Sequence, residues 1–158
     1  MFKADKEFQE EVIHIGRITK VVKGGRRFRF SALVAVGDGK GRVGIGLGKS
    51  KEIPVAINKA IEKAKKSLVN VPLTEDGTIP HQIETKEGAG RILLKPSRPG
   101  TGIIAGNTAR AILKVCGVQN IVAKSIGSNN IHNLSHVLIR ALGSLRSKEE
   151  VLKQRGLI

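Results

Sequence analysis

Apolar and polar residues alternate along much of the first 50 positions, which is the pattern of strands that bury one face. A β-branched segment from Val12 to Val22 predicts the first strand, and Lys23–Arg26 predicts a turn or projecting loop. The second strand follows over 27–36, and the glycine-rich stretch 37–41 predicts a hairpin turn into a third strand. The second strand's apolar face, which we expect in the core, consists of Phe28, Phe30, Ala32, Val34 and Val36.

A helix is expected from Pro54, since proline suits a first helical turn and the apolar spacing then becomes helical. On the preceding strand, Gly44, Gly46 and Gly48 occupy alternate positions. Their spacing matches no phosphate-binding motif, so we attribute them to close packing of this helix. The apolar stripe of the helix consists of Ile53, Ile57, Ala60, Ile61, Ala64 and Leu68.

The second half of the chain predicts a separate α/β unit. Its strands are expected over 79–85, 90–94 and 118–126. One helix, with Ile104, Thr108, Ala111, Ile112 and Val115 on a face, ends at Gly117, and another follows 127–130. The fold class is therefore α+β, with two small units. We divide the chain into a flexible arm (1–10), a first unit (11–69), a linker (70–77), a second unit (78–146) and a tail (147–158), in which Ser147 and Glu150 suggest a capping box.

The charge distribution restricts the function. The 158 residues include 28 Lys and Arg against 13 Asp and Glu, a net charge of +15. Residues 17–51 hold ten cations and one acid, and residues 88–148 hold nine cations and no acid. Cations at this density repel each other, so a polyanionic partner is expected.

Nucleic acid is favoured over a membrane as that partner. No apolar run approaches the roughly 18 residues of a membrane span, and the cations fall on predicted strands and loops rather than on one amphipathic helix. The start of the chain, with Asp5 and Glu7, lacks the apolar stretch of a secretion signal. We therefore expect a cytoplasmic RNA-binding protein with no membrane association.

The most distinctive cationic cluster lies at 23–29. Glycine lets a backbone approach a phosphate chain, and arginine offers planar, bidentate donors to phosphate oxygens. The chain has no Trp or Tyr, and Phe28 and Phe30 are expected in the core, so folded or double-stranded RNA fits better than a single strand read by stacking. The candidate RNA-binding residues are Arg17, Lys20, Lys23, Gly24, Gly25, Arg26, Arg27, Arg29, Lys40, Arg42, Lys49 and Lys51.

Residues 100–106 precede a predicted helix, and a helix N-terminus attracts phosphate. Phosphoryl transfer also needs carboxylates, and none occurs between Glu87 and Glu149. This loop is therefore expected to bind an RNA backbone or a partner protein, with no catalysis and no cofactor.

Other candidate chemistry is sparse. His132 and His136 have metal-ligand spacing without a third ligand, so no metal site is expected. Cys116, the only cysteine, has apolar neighbours and is expected to be buried and inert.

Motifs in both units resemble the small-subunit ribosomal protein five (S-five) family of bacteria. The resemblance spans about residues 11–156, in the family's order and spacing. The matching segments are 22–33 (VKGGRRFRFSAL), 36–39 (VGDG), 41–46 (GRVGIG), 100–106 (GTGIIAG), 110–111 (RA), 123–125 (AKS) and 127–129 (GSN).

The resemblance implies that the first unit is a βββα variant of the double-stranded-RNA-binding fold. The second would be the small α/β fold also seen in some kinases and translation factors. It implies a structural constituent of the small subunit that binds ribosomal RNA, aids assembly, supports accuracy and lines the messenger RNA path. Proteins S-four and S-eight would be neighbours, and the loop 20–27 would lie near the spectinomycin site. The implied S-four interface includes Gly100, Thr101, Gly102 and Arg110. Because a glycine in a tight loop can hold a positive φ, where a side chain is costly, we expect Gly102→Arg to disturb this interface and to alter decoding accuracy.

Two departures from the family pattern matter. Residues 97–99 (SRP) stand where the family usually has an acidic residue, and residues 1–10 align with no motif. Two other functions stay open: a free-standing regulator that binds double-stranded RNA, and a small phosphotransferase that binds ATP at 100–106.

Overall fold

In the computed structural model, which describes residues 8–157, the chain forms two four-stranded sheets, the first with one helix on a face and the second with two. The α+β architecture with two units is confirmed. In chain order the elements are β1 Gln9–Val22, β2 Gly25–Gly37, β3 Arg42–Ser50, α1 Ile53–Lys66, β4 Val69–Asn70, β5 Ile83–Glu87, β6 Gly90–Pro96, β7 Ile103–Ile104, α2 Asn107–Cys116, β8 Ile121–Ser125, α3 Ile131–Gly143 and α4 Lys148–Gln154.

The first sheet has the strand order β1-β2-β3-β4, and all its pairs are antiparallel. α1 packs on one face through small residues, because Ala56, Ala60 and Ala64 are fully buried. They meet Ala32, Val34 and Val36 of β2 in a cluster that we call the alanine cluster.

The glycines of β3 allow this close approach. A Cβ atom added at Gly46 would stand 2.0 Å from the carbonyl oxygen of Ala60, and Gly44 and Gly48 show the same conflict with the helix backbone. The attribution of this glycine row to helix packing is therefore confirmed.

α1 covers only one end of the long hairpin formed by β1 and β2. Its 14 residues span about 21 Å at 1.5 Å per residue, whereas the 13 residues of β2 span about 43 Å at 3.3 Å per residue. The expectation that Phe28 lies in the core is therefore wrong: its side chain is 42% exposed, beyond the reach of the helix, and Phe30 is half-buried. We call residues 17–29 the hairpin end.

The second sheet has the order β5-β6-β8-β7, with β7 parallel to β8 and the other pairs antiparallel. α2 and α3 cover one face and bury Ile92, Leu94 and Ile121. Gly117 ends α2 in the left-handed region (φ 94°), as expected, and the capping box of α4 is complete.

Two predicted element boundaries in this unit are wrong. Ile104 is not helical: it pairs with Val122 in β7 and is 52% exposed, because α2 begins only after Gly106. The strand expected from Ile79 begins at Ile83, since Ile79 is instead buried in the core ahead of the sheet.

The segment 70–77, expected to be a linker, packs against both units. Val71 is 6% exposed, and its amide donates to the carbonyl oxygen of Gly41 at 2.6 Å. The carbonyl oxygen of Gly77 accepts from the amides of Gln119 and Asn120. These backbone bonds fix the segment, so it does not act as a free hinge.

A glycine seam also joins the units. The amides of Gly39 and Gly41 donate to the carbonyl oxygens of Val115 and Cys116 at 3.0 and 2.9 Å. A Cβ atom at Gly37 would lie 2.1 Å from the carbonyl oxygen of Val115, so the turn between β2 and β3 presses directly on the end of α2. Ala35 and Val43 of the first sheet belong to the same core cluster as the second unit.

Residues 8–10, the end of the expected flexible arm 1–10, have defined structure. β1 begins at Gln9, and Phe8 packs against the alanine cluster. Residues 1–7 lie outside the described residues.

Candidate nucleic-acid interface

Strand register sorts the side chains of the hairpin end onto two faces. Lys20 pairs with Arg27, Ile18 pairs with Arg29, and paired residues point to the same side of a sheet. Lys49 pairs with Ser31 and so joins this side, which is opposite α1.

These side chains line a groove of about 260 Å³ that we call the cationic groove. No carboxylate lines it, so its charge is uncompensated locally. It combines two aliphatic side chains with four cations, and cations at this density suit the phosphates of a nucleic-acid backbone. Its lining residues are Ile18, Lys20, Val22, Arg27, Arg29 and Lys49.

On the other face of the hairpin end, the side chains of Arg17 and Phe28 are in contact. Arg17 lies over the ring of Phe28, with its guanidinium carbon 3.8 Å from the ring centroid. A cation–π contact at an exposed site stabilises by about 0.5–1 kcal/mol. The sequence argument against base stacking assumed that the phenylalanine rings are buried. The ring of Phe28 is exposed, so this argument does not hold at the hairpin end, although Arg17 covers one face of the ring.

The tip is a two-residue turn, Lys23–Gly24, since Val22 pairs with Gly25. Gly24 has a φ of 105°, a conformation that side chains rarely adopt. A Cβ atom at Gly24 or Gly25 would meet nothing within 4 Å. These glycines therefore serve the turn rather than packing, and they leave the backbone accessible.

Two of the predicted RNA-binding residues lie apart from this end. Lys40 and Arg42 sit at the opposite end of the sheet, and the separation of seven positions between Arg42 and Lys49 spans about 23 Å along β3. The guanidinium of Arg42 forms an ion pair with Asp38 at 2.9 Å and lies 5.3 Å from the ring of Phe8. The guanidinium of Arg42 is therefore engaged in contacts within the protein. Lys51, just after β3, is exposed.

The structure adds cations that sequence reasoning left unassigned. Lys59 and Lys63 of α1 line a groove of about 590 Å³ with Lys49, along the open edge of β3. In the sequence, the four-residue spacing of Lys59 and Lys63 indicates only that they share one face of a helix. The structure shows that this face lies beside Lys49.

The loop 100–102 has a different character. The side-chain oxygen of Asn120 accepts from the amides of Gly100 and Gly102, both at 3.1 Å, and its nitrogen donates to the carbonyl oxygen of Asp76. Thr101 donates through its amide to Arg98. These loop amides are therefore occupied and do not point to a bound phosphate.

The remaining interface candidates surround that loop. Gly102 has a φ of 75°, as expected, and open space lies around a Cβ there. The guanidinium of Arg110 donates to the carbonyl oxygen of Ile103 at 3.2 Å, which holds the strand β7 against the start of α2.

The described part of the chain has neither a candidate metal site nor an accessible thiol. Within residues 8–157, no group of three or more His, Cys, Asp or Glu could hold a metal ion. Cys116 is fully buried, and burial raises the pKa of its thiol to about 12, so the thiol stays protonated and inert. No helix among these residues has the length and apolar character needed to cross a membrane.

Comparison with known proteins decides the family. The model for the N-terminal domain of ribosomal protein S5 matches residues 8–72, and the model for its C-terminal domain matches residues 85–155. The chain belongs to the ribosomal protein S5 family. A relative in Lawsonia intracellularis, named small ribosomal subunit protein uS5, is 51% identical over 156 residues, which cover 99% of this chain and 95% of that protein. The first match spans the whole of the first sheet, and the second match spans most of the second sheet.

Proposed function

We propose that this ribosomal protein is a structural constituent of the small ribosomal subunit that holds ribosomal RNA by its backbone. The observation that carries the proposal is the cationic groove, where Lys20, Arg27, Arg29 and Lys49 converge without an acid. The accessible glycine turn beside it lets a phosphate chain approach closely.

The mechanism is electrostatic and geometric. A rigid β-hairpin presents cations at fixed spacing, and each phosphate that a cation neutralises releases counterions. Two arginines provide bidentate donors, which fix orientation as well as charge. Lys59 and Lys63 extend the cationic surface towards α1.

The finer roles are proposals that the resemblance to the family supports. We propose that the loop with Gly100, Thr101, Gly102 and Arg110 contacts protein S-four and influences decoding accuracy. We further propose that S-eight is a second neighbour, that the protein assists assembly, and that it borders the messenger RNA path in the cytoplasmic ribosome. A catalytic role is not proposed, because no carboxylate occurs between Glu87 and Glu149 and the amides of Gly100 and Gly102, in the phosphotransferase candidate 100–106, already donate to Asn120.

A salt titration tests the groove. The variant Lys20→Ala/Arg27→Ala/Arg29→Ala should bind a transcript of small-subunit ribosomal RNA with a slope of log K against log salt that is flatter by up to about 3 units, since each phosphate contributes about 0.9 on a duplex. These side chains are exposed, so unfolding temperatures should match the wild type.

The control removes the same charge elsewhere. Lys148→Ala/Lys153→Ala/Arg155→Ala changes exposed cations at α4, outside the groove. Equal slopes for the two triple variants would remove the cationic groove from the interface.

A further inference from the structure

Six of the nine cations in the acid-free stretch 88–148 form two groups in the fold. One group is used internally: Arg140 lies 3.3 Å from Glu87, Lys114 lies 3.9 Å from Glu11, and Arg110 binds a backbone oxygen. The other group lies on the second sheet, on the face away from α2 and α3. The cationic groove does not involve this second group.

The pairing register defines this outer face. Lys86 pairs with Arg91, Leu93 pairs with Lys124, and Lys95 pairs with Val122, so each pair shares one side. The intervening residues, such as Ile92 and Leu94, are buried against the helices. The outer face consists of Glu84, Lys86, Arg91, Leu93, Lys95, Ile104, Val122, Lys124 and Ile126.

Nothing among the described residues covers the outer face. The side chains of Lys86, Lys95 and Lys124 are exposed, and the aliphatic side chains at its two margins, Ile104 and Ile126, are 52% and 49% exposed. Between these margins, Leu93 and Val122 alternate with Lys95 and Lys124, so the face presents apolar and cationic side chains together.

The charge of the outer face selects the partner. It carries four cations and one acid, Glu84, which forms an ion pair with Arg91. Within residues 8–157, no acid lies within ion-pair distance of the three lysines. Neighbouring strands lie about 4.8 Å apart, and successive residues on one face of a strand lie about 6.7 Å apart. The three lysines are therefore spread over the sheet face and are not concentrated at one position. An extended polyanion could contact all three lysines at once.

We propose that the outer face of the second sheet is a second RNA-binding surface, on which Lys86, Lys95 and Lys124 hold the phosphodiester backbone of a ribosomal RNA strand. The face has no aromatic side chain, so it binds the backbone and sugars rather than stacking bases. Glu84 limits the affinity by holding Arg91. This inference rests on the proposed function, that the chain binds ribosomal RNA, and extends it to the second unit.

The test uses the full chain and a transcript of small-subunit ribosomal RNA. Lys86→Gln/Lys95→Gln/Lys124→Gln should flatten the slope of log K against log salt by about 2–3 units. Each lost phosphate contact removes about 0.7 units on a single strand and about 0.9 units on a duplex. The control Lys66→Gln/Lys148→Gln/Lys153→Gln removes three exposed helix lysines and should leave the slope near that of the wild type. Glu84→Gln should steepen the slope by up to about 0.9, because Arg91 becomes free to meet a phosphate.

A footprint on the unmodified protein provides an independent readout. In the complex with the transcript alone, acetylation of Lys86, Lys95 and Lys124 should fall relative to the free protein, while that of Lys148 and Lys153 stays unchanged. Equal slopes for the two lysine triples, with the three lysines fully reactive in the complex, would overturn the inference while leaving the cationic groove intact. Absence of any binding by the wild-type chain would instead overturn the proposed function.

Discussion

Replacing Gly46 by alanine tests how tightly α1 packs on the first sheet. The added Cβ would stand 2.0 Å from the carbonyl oxygen of Ala60 and 2.7 Å from the amide nitrogen of Ala64. Carbon and oxygen approach no closer than about 3.3 Å in ordinary contacts, so the helix must move by more than about 1 Å. Both conflicting atoms belong to the backbone, and therefore no side-chain rotation relieves them.

The cost follows from that displacement. Overpacking of a closely packed core costs about 1–3 kcal/mol, and we expect the upper end because the alanine cluster also loses contacts. About 3 kcal/mol corresponds to roughly 6–12 °C in unfolding temperature for a chain of this size. Urea and thermal unfolding should be followed by far-UV circular dichroism, since the chain has no Trp or Tyr.

Gly106→Ala is the matched control. Gly106 has a φ of −67°, and a Cβ there would meet nothing within 4 Å. Alanine is a poorer N-cap than glycine, so a loss within about 1 kcal/mol is expected. If Gly46→Ala were no less stable than Gly106→Ala, the explanation of the glycine row by helix packing would be refuted.

Two further predictions concern side chains that fix turns. Burial alone would raise the pKa of Asp38, but hydrogen bonds from Arg42 and from the amides of Lys40 and Arg42 lower it below the ordinary 3.8. A lowered folded-state pKa gives stability that is present above 3.8 and lost as pH falls through the folded value. Asp38→Asn should therefore cost about 1–3 kcal/mol in urea unfolding at pH 7, with a difference that shrinks at pH 3; a pH-independent difference would contradict this. Asn120→Ala should speed hydrogen exchange of the Gly102 amide, whereas Asn120→Asp, which keeps the acceptor, should preserve its protection; equal exchange in both variants would contradict the role of the carboxamide.

Periodicity predicted the faces of the strands but not how far the helix covers them. The alternation in β2 placed Phe28 on the same side as Ala32 and Val34, and that side is correct. Its burial depends on the length of α1 relative to β2, which is a tertiary property. The same limit explains Arg42, whose position in the cationic region 17–51 gave no hint of its ion pair with Asp38 at the far end of the sheet.

The second unit shows a different limit. Local signals located Gly117 as a helix end and the capping box at Ser147, because each depends on residues within one turn. The outer face depends on pairing between distant strands, such as Leu93 with Lys124. Such a register cannot be obtained from the spacing of either strand alone, so the acid-free stretch indicated a polyanion without indicating where it binds.

The most direct test of the central claim is sedimentation of a cell lysate through a sucrose gradient at moderate magnesium, with the protein quantified in every fraction. We expect nearly all of the protein to travel with the small ribosomal subunit and to remain there after a moderate salt wash. A protein that stays mostly at the top of the gradient would contradict the account and favour a regulator that acts on free RNA.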